Sequence, residues 1–91
     1  MPKQEQVYRM HLYGVDPVTN HATKLVAVLF YPYNFGDYKA YATRFESKLK
    51  KRVVAIKVYD TPTYSGKVVN EKPTEKDLVA EKYYGVWHTY D

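Results

Sequence analysis

The sequence predicts an α+β fold: a single two-layer domain of order β-β-α-β-(loop)-α-β, with a mixed sheet and its helices packed on one sheet face. The chain of 91 residues is 45% hydrophobic, which suits one packed domain spanning 1–91. Apolar residues alternate in two stretches, as in strands, and recur every three or four residues in a segment between them, as in a helix. This composition and patterning exclude a disordered chain.

Two strands open the predicted fold. Residues 7–13 alternate and predict a half-buried strand, and Asp16-Pro17 marks the turn that follows. Residues 24–31 form a continuous apolar run, which predicts a central strand that forms a hairpin with the first. The alternation gives the first strand two faces, with Tyr8, Met10 and Leu12 on one and Val7, Arg9, His11 and Tyr13 on the other.

A helix is predicted over residues 34–51. Asn34 is a favourable N-cap, and Asp37 follows it at the position of a capping-box acid. The apolar stripe that should pack on the sheet consists of Phe35, Tyr38, Ala42, Phe45 and Leu49.

The next strand is predicted over residues 53–59, where alternation resumes. Because a helix separates it from the strand at 24–31, the order predicts a crossover connection and a parallel pair. Thr61-Pro62 predicts the end of this strand.

The last third of the chain predicts shorter elements. Residues 60–73 are expected to form a polar loop or a small hairpin within the domain. Thr74 and Gly85 have the residue types that start and stop a helix, so a short second helix is predicted between them. Residues 86–90 predict a final edge strand.

The positive charge is concentrated in one segment. The net charge is +4, and residues 39–57 contain seven Lys and Arg residues against a single acid, Glu46. Such a patch attracts a polyanion even when the whole chain is only mildly basic. The alternative is a solvated helix face whose last lysines complement the helix dipole.

The basic residues of the predicted helix line one flank beside the apolar stripe, together with a tyrosine. Cations one helical turn apart can contact successive phosphates, and a tyrosine can hydrogen-bond a phosphate or stack on a base. The predicted nucleic-acid-binding set continues onto the next strand and consists of Tyr41, Arg44, Lys48, Lys51, Arg52, Lys57 and Tyr59.

Eleven tyrosines are more than one small core can bury. They are either large fillers of the core and its boundary or part of a contact surface, since aromatic residues are enriched at interfaces. If Arg9, His11, Tyr13, Lys57 and Tyr59 share the face away from the helix, that face is aromatic and basic, similar in surface character to the base-stacking sheets of small RNA-binding modules.

A protein interface is predicted at two places, the first strand and the end of the chain. The final strand either pairs with its copy in another chain or closes the sheet as its last strand. The predicted interface residues are Arg9, His11, Tyr13, Trp87 and Tyr90.

The sequence offers little for catalysis. His11, His21 and His88 lie in different predicted elements, there is no cysteine, and the four glycines are isolated. We therefore expect no catalytic residues, no metal and no cofactor. No apolar run approaches about 18 residues and the first ten residues are polar, which predicts a cytoplasmic protein without a membrane partner.

These observations favour a small non-enzymatic binding module that engages nucleic acid or another polyanion through the basic helix and the tyrosine-rich sheet surface. The alternative is a protein-interaction module, such as a small regulator or inhibitor of the kind that phages and other mobile elements carry, in which charge steers association. A homodimer is compatible with either hypothesis.

Overall fold

The computed structural model describes residues 4–32, 36–49, 52–64, 67–68 and 74–90. In chain order the elements are β1 (Gln4–Gly14), β2 (Lys24–Pro32), α1 (Tyr38–Lys48), β3 (Ala55–Tyr64), β4 (Lys67–Val68), a 3₁₀ turn (Glu75–Asp77), β5 (Leu78–Tyr83) and β6 (Val86–Thr89).

The strands form one sheet in the order β2-β1-β3-β5-β6, and the two-residue β4 pairs with the end of β3. The predicted hairpin of β1 and β2 is confirmed, but β2 lies at an edge of the sheet and not at its centre as predicted. The predicted mixed sheet is wrong, because every strand pair among the described residues is antiparallel. Since β2 and β3 are each antiparallel to β1, they do run in the same direction. They are not neighbours, however, because β1 lies between them. The strand–helix–strand pattern therefore predicted the relative direction of β2 and β3, but it did not determine whether these two strands are neighbours.

The second predicted helix is also wrong. The Asp77 backbone N–H donates to the Thr74 carbonyl oxygen at 2.9 Å, which closes one 3₁₀ turn, and the Asp77 carboxylate in return accepts the Thr74 backbone N–H at 3.0 Å. The chain then becomes the strand β5. Tyr84 and Gly85 have φ angles of 48° and 85°, and Tyr83 pairs with Val86. This is a two-residue hairpin turn in which both central residues have positive φ. Gly85 therefore turns a hairpin, and α1 is the one α-helix of the described residues.

Helix α1 begins later than predicted. The Asp37 carboxylate, not Asn34, caps it by accepting the backbone N–H of Lys39 at 2.9 Å and of Ala40 at 3.3 Å. Asn34 and Phe35 lie outside the described residues, as do positions 50 and 51 at the predicted end. The helix ends at Lys48, with Leu49 as its C-cap.

Strand β3 continues past the Thr61-Pro62 pair to Tyr64, which corrects its predicted end. Pro62 has a register partner in β1, and the described residues show none on its other side, so it lies where β3 is an edge of the described sheet, a position that tolerates proline. Within the predicted 60–73 loop or hairpin, β3 and β4 pair through Tyr64 and Lys67.

The cluster of buried side chains that packs against the helix lies on one side of the sheet, while Val7, Ala55 and Tyr59 are buried on the other side. Met10, Leu12 and Val58 have no exposed surface, and Ala42 of α1 belongs to the same buried cluster. Among the residues whose burial is described, the cluster consists of Met10, Leu12, Leu29, Tyr31, Ala42, Ile56, Val58 and Ala80. We call this side the helix face and the opposite side the distal face. The alternation predicted for β1 is confirmed, since Tyr8, Met10 and Leu12 lie on the helix face.

The turn at Tyr84-Gly85 gives a stability test of this hairpin. Gly85→Ala is expected to lower the free energy of unfolding by roughly 1–2 kcal/mol, because a Cβ is unfavourable at positive φ. Nothing lies within 4 Å of the added Cβ, so the loss would come from the backbone alone. Urea denaturation measures it. Tyr84→Asn is the control, because asparagine tolerates this conformation, and it should be at least as stable as the parent. Equal stabilities of parent and Gly85→Ala would contradict the turn.

Candidate interaction surfaces

One flank of α1 forms a small groove of mixed aromatic and basic character, lined by Tyr41, Arg44, Phe45 and Lys48. The Tyr41 ring stacks on Tyr31 of β2 with centroids 4.5 Å apart, which fixes the floor of the groove. Arg44 and Lys48 are exposed and one helical turn apart. Neither takes part in an ion pair among the described residues.

The acid of the helix points away from this groove. Glu46 lies on the other flank and forms an ion pair with Lys82 of β5, with Nζ and Oε2 3.1 Å apart. Lys82 also lies 5.9 Å from the centre of the Trp87 ring, so this pair joins the helix to β5 and β6. The positive potential of the groove is therefore not cancelled by Glu46.

The structure divides the rest of the predicted nucleic-acid-binding set. Arg52 is exposed beside the Glu46 flank and at a cleft at the end of the sheet, which Lys24 and Tyr84 also line. Lys57 and Tyr59 lie on the distal face, on the opposite side of the sheet from the helix. Lys51 lies outside the described residues. The predicted set is thus not one continuous surface.

Three rows of side chains on the distal face cross the whole sheet in the order β2, β1, β3, β5, β6. The first row is Leu25, Tyr13, Ala55, Tyr83 and Val86; the middle row is Val28, His11, Lys57, Glu81 and His88; and the third row is Phe30, Arg9, Tyr59, Leu78 and, just beyond β6, Tyr90. The five residues that the sequence proposed for one face, Arg9, His11, Tyr13, Lys57 and Tyr59, do come together here.

A polar network connects the centre of these rows. Arg9 Nε donates to His11 Nε2 at 3.0 Å, and because arginine has no acceptor, that imidazole nitrogen carries no proton. His11 Nδ1 therefore carries the proton and donates to the Tyr13 hydroxyl at 3.2 Å. Tyr59 packs against His11 with ring centres 5.1 Å apart, and Tyr13 is near enough to contribute to the raised pKa of its phenol.

Two groups of the network have shifted pKa values. Burial lowers the pKa of His11, and the positive charges of Arg9 and Lys57 lower it further. Burial raises the pKa of Tyr59 to about 12, with contributions in the same direction from Tyr13, Glu75 and Glu81. At neutral pH the imidazole and the phenol are therefore both uncharged.

The distal face is aromatic, but its charges are balanced. Lys57 Nζ is 3.9 Å from the Glu75 carboxylate, and Glu81 is its cross-strand neighbour in β5. Tyr59 is only 6% exposed, so its ring is not available for base stacking. The predicted basic character of this face is therefore offset by two acids that lie far from it in the sequence.

The two predicted interface residues near the end of the chain lie on opposite sides of the sheet. Trp87 is half-buried on the helix face, between the Lys39 and Lys82 ammonium groups at 5.7 and 5.9 Å from its ring centre. Tyr90 is 47% exposed, and its hydroxyl donates to Glu81 Oε2 at 3.3 Å. Strand β6 is an edge of the sheet, as predicted, and pairs with β5.

Sequence reasoning missed the apolar part of the distal face. Leu25, Phe30, Tyr83 and Val86 are between 44% and 56% exposed there. A signal was present in the run 24–31, in which both faces of the strand are apolar although only one faces the core.

Similarity to known proteins does not assign the chain to a family, and its described residues show neither a metal site nor a membrane-spanning helix. No protein-family model, curated protein or solved structure matches the chain. In the described part of the chain, no three His, Asp or Glu side chains are arranged to hold a metal ion. None of the described helices has the length and apolar character required to cross a membrane.

The shifted pKa of His11 predicts a loss of stability in mild acid. The unfolded imidazole has the ordinary pKa of 6.5 and the folded one a lower value, so the unfolded chain binds more protons below pH 6.5. The free energy of unfolding should therefore fall as the pH drops from 6.5 through the folded pKa. Urea denaturation over this range, with His11→Gln as control, measures the effect, and NMR titration of His11 measures the pKa. A folded pKa at or above 6.5 would contradict this environment.

The network also predicts the behaviour of Tyr59 in alkali. Its folded pKa of about 12 is above the ordinary value of 10.0, so its stabilising contribution is complete below pH 10 and lost as the pH rises through about 12. The phenolate absorbance of the protein minus that of Tyr59→Phe should show one tyrosine ionising near pH 12. A difference curve centred near pH 10 would show that Tyr59 is not buried in this network.

Proposed function

We propose that the protein is a small non-enzymatic binding module for nucleic acid or another polyanion, and that the groove on α1 is its contact site. The observation that carries this proposal is the pairing of two exposed cations, Arg44 and Lys48, with the ring of Tyr41 in one groove. Phosphates pair with the cations, and an aromatic side chain at the same site can stack on a base or hydrogen-bond a phosphate.

The geometry supports contact with the phosphate backbone more than reading of base sequence. The two cations are exposed one helical turn apart on the same flank of α1, so they can reach successive phosphates of one strand. One of them is an arginine, which can bind a phosphate in a bidentate manner, and the other is a lysine, which acts as a point charge. Binding of this kind is weakly selective and strongly dependent on salt.

A second candidate function is a protein-interaction module. It is favoured by the exposed apolar side chains of the distal face, since several large exposed apolar side chains on one face are typical of an interaction site. The two functions use opposite sides of the sheet and do not exclude one another. The cytoplasmic location remains a prediction.

The test is fluorescence anisotropy with labelled single- and double-stranded DNA and RNA at low and physiological salt. Binding should weaken about tenfold or more between the two salt concentrations, since each phosphate contact releases a counterion. Lys48→Glu should weaken binding roughly tenfold and reduce the salt dependence by about one phosphate contact. Arg44→Gln should reduce the salt dependence in the same way.

The control is Lys76→Glu in the 3₁₀ turn, an exposed site with the same change of net charge. It should leave the affinity within about twofold if the contact is local to the groove. No binding at low salt would refute the polyanion function. Equal losses in Lys48→Glu and Lys76→Glu would show that net charge, and not the groove, determines binding.

A further inference from the structure

The distal face carries more exposed apolar surface than an uncovered antiparallel sheet normally does. Seven large hydrophobic side chains of the described residues are exposed, and five of them lie on this face. The five are Leu25, Phe30, Tyr83, Val86 and Tyr90. The described residues place no α-helix over them, because α1 lies on the other side. This face has the character of an interface.

The charges of the middle row identify the occupant. Lys57 of β3 and Glu81 of β5 are cross-strand neighbours, one positive and one negative, near the middle of the sheet. A second copy can be stacked on the distal face by rotation about a two-fold axis. This axis runs parallel to the strands, lies above the gap between β3 and β5, and is midway between the two sheets. Rotation about this axis places Lys57 of each copy opposite Glu81 of the other, so the face is complementary to itself.

We propose that the distal face is the interface of a symmetric homodimer, in which two sheets stack face to face and each Lys57 pairs with Glu81 of the second copy. The interface is isologous, because the same patch is used by both copies. This inference does not depend on polyanion binding, since the groove on α1 lies on the other side of the sheet.

The same rotation also matches side-chain sizes. In the first row, Ala55 of β3 comes opposite Tyr83 of β5, so the small side chain leaves room for the half-exposed ring of the second copy. In the third row, Leu78 comes opposite Tyr59 of the second copy, which is almost fully buried in its own chain and therefore presents a flat surface without a protruding ring. Stacked sheets lie about 10 Å apart, a distance at which such side chains interdigitate.

The balance of charge favours a second copy over nucleic acid on this face. Arg9 and Lys57 are offset by Glu75 and Glu81, and burial with two neighbouring cations keeps His11 neutral. A phosphate backbone would meet two carboxylates here and gain no net attraction. A second copy, by contrast, places a glutamate opposite each Lys57 and a lysine opposite each Glu81.

The experiment is sedimentation velocity over a wide concentration range. The parent protein should increase in mass from 10.7 kDa toward twice that value as its concentration rises. In a dimer of Lys57→Glu, the new glutamate of each copy faces Glu81 of the other copy. In a dimer of Glu81→Lys, the new lysine of each copy faces Lys57 of the other copy. Each variant alone should dimerise at least roughly a hundredfold more weakly, because like charges across an interface are strongly unfavourable.

An equimolar mixture of the two variants makes the test specific. Every pair across the interface is again attractive in the mixed dimer, so mixing should restore association although neither variant associates alone. Changes within each chain are identical before and after mixing, so a loss of stability cannot produce this result. Val18→Glu, at a turn position that is 90% exposed, is the control and should dimerise like the parent.

Two results would overturn the proposal: a parent protein that stays monomeric at every concentration, and variants that associate as the parent does. Circular dichroism verifies that each variant folds. If either charge variant does not fold, Tyr83→Glu tests the same interface at a half-exposed position, and unchanged dimerisation of that variant would also overturn it. Loss of nucleic-acid binding by Lys57→Glu in a monomeric parent would assign the face to nucleic acid and refute the dimer.

Discussion

The pairing of β1 with β3 is the constraint on which both surfaces of the molecule depend. Met10 lies opposite Val58 and Leu12 opposite Ile56, and all four side chains are essentially inaccessible on the helix face. The residues between them face the other way and bring Arg9 to Tyr59 and His11 to Lys57. A slip of β3 by one residue would turn its two faces over, moving Lys57 to the helix face and exposing Ile56 and Val58 on the other side. One register therefore defines the core and the distal network together.

The sequence predicted the elements with a local signature and misplaced those determined by distant contacts. The alternation in β1 and the apolar stripe of α1 could be predicted because each pattern repeats within a few residues. The strand order was not, because a crossover connection fixes the direction of β3 without fixing its neighbour. Leu78–Tyr83 contains Leu, Ala, Glu and Lys, which favour a helix, yet this segment is a strand because it pairs with β3 and β6.

The candidate surfaces could likewise be predicted where local spacing brings their residues together, and not where distant contacts do. The groove was predictable because Tyr41, Arg44 and Lys48 share a helix flank, and helical spacing is a local property. The meeting of Arg9, His11 and Tyr13 with Lys57 and Tyr59 was a conditional expectation that the register fulfils. The acids that neutralise the distal face were not predictable, because Glu75 and Glu81 come from the segment whose structure was misassigned. Charge segregation along the chain was therefore a poor guide to charge on the surface.

The central place of β1 also has a consequence for how the chain is made. Synthesis completes β1 and β2 before β3 exists, so one edge of β1 in the nascent hairpin has no strand to pair with. Met10 and Leu12 are also exposed at this stage, because the helix that packs on them has not yet been made. The partner strand follows only after the whole of α1, across a long loop that must close at an entropic cost. In this interval the nascent chain is most open to pairing with another strand, and a chaperone or a slow-translating stretch of message would have its greatest effect there.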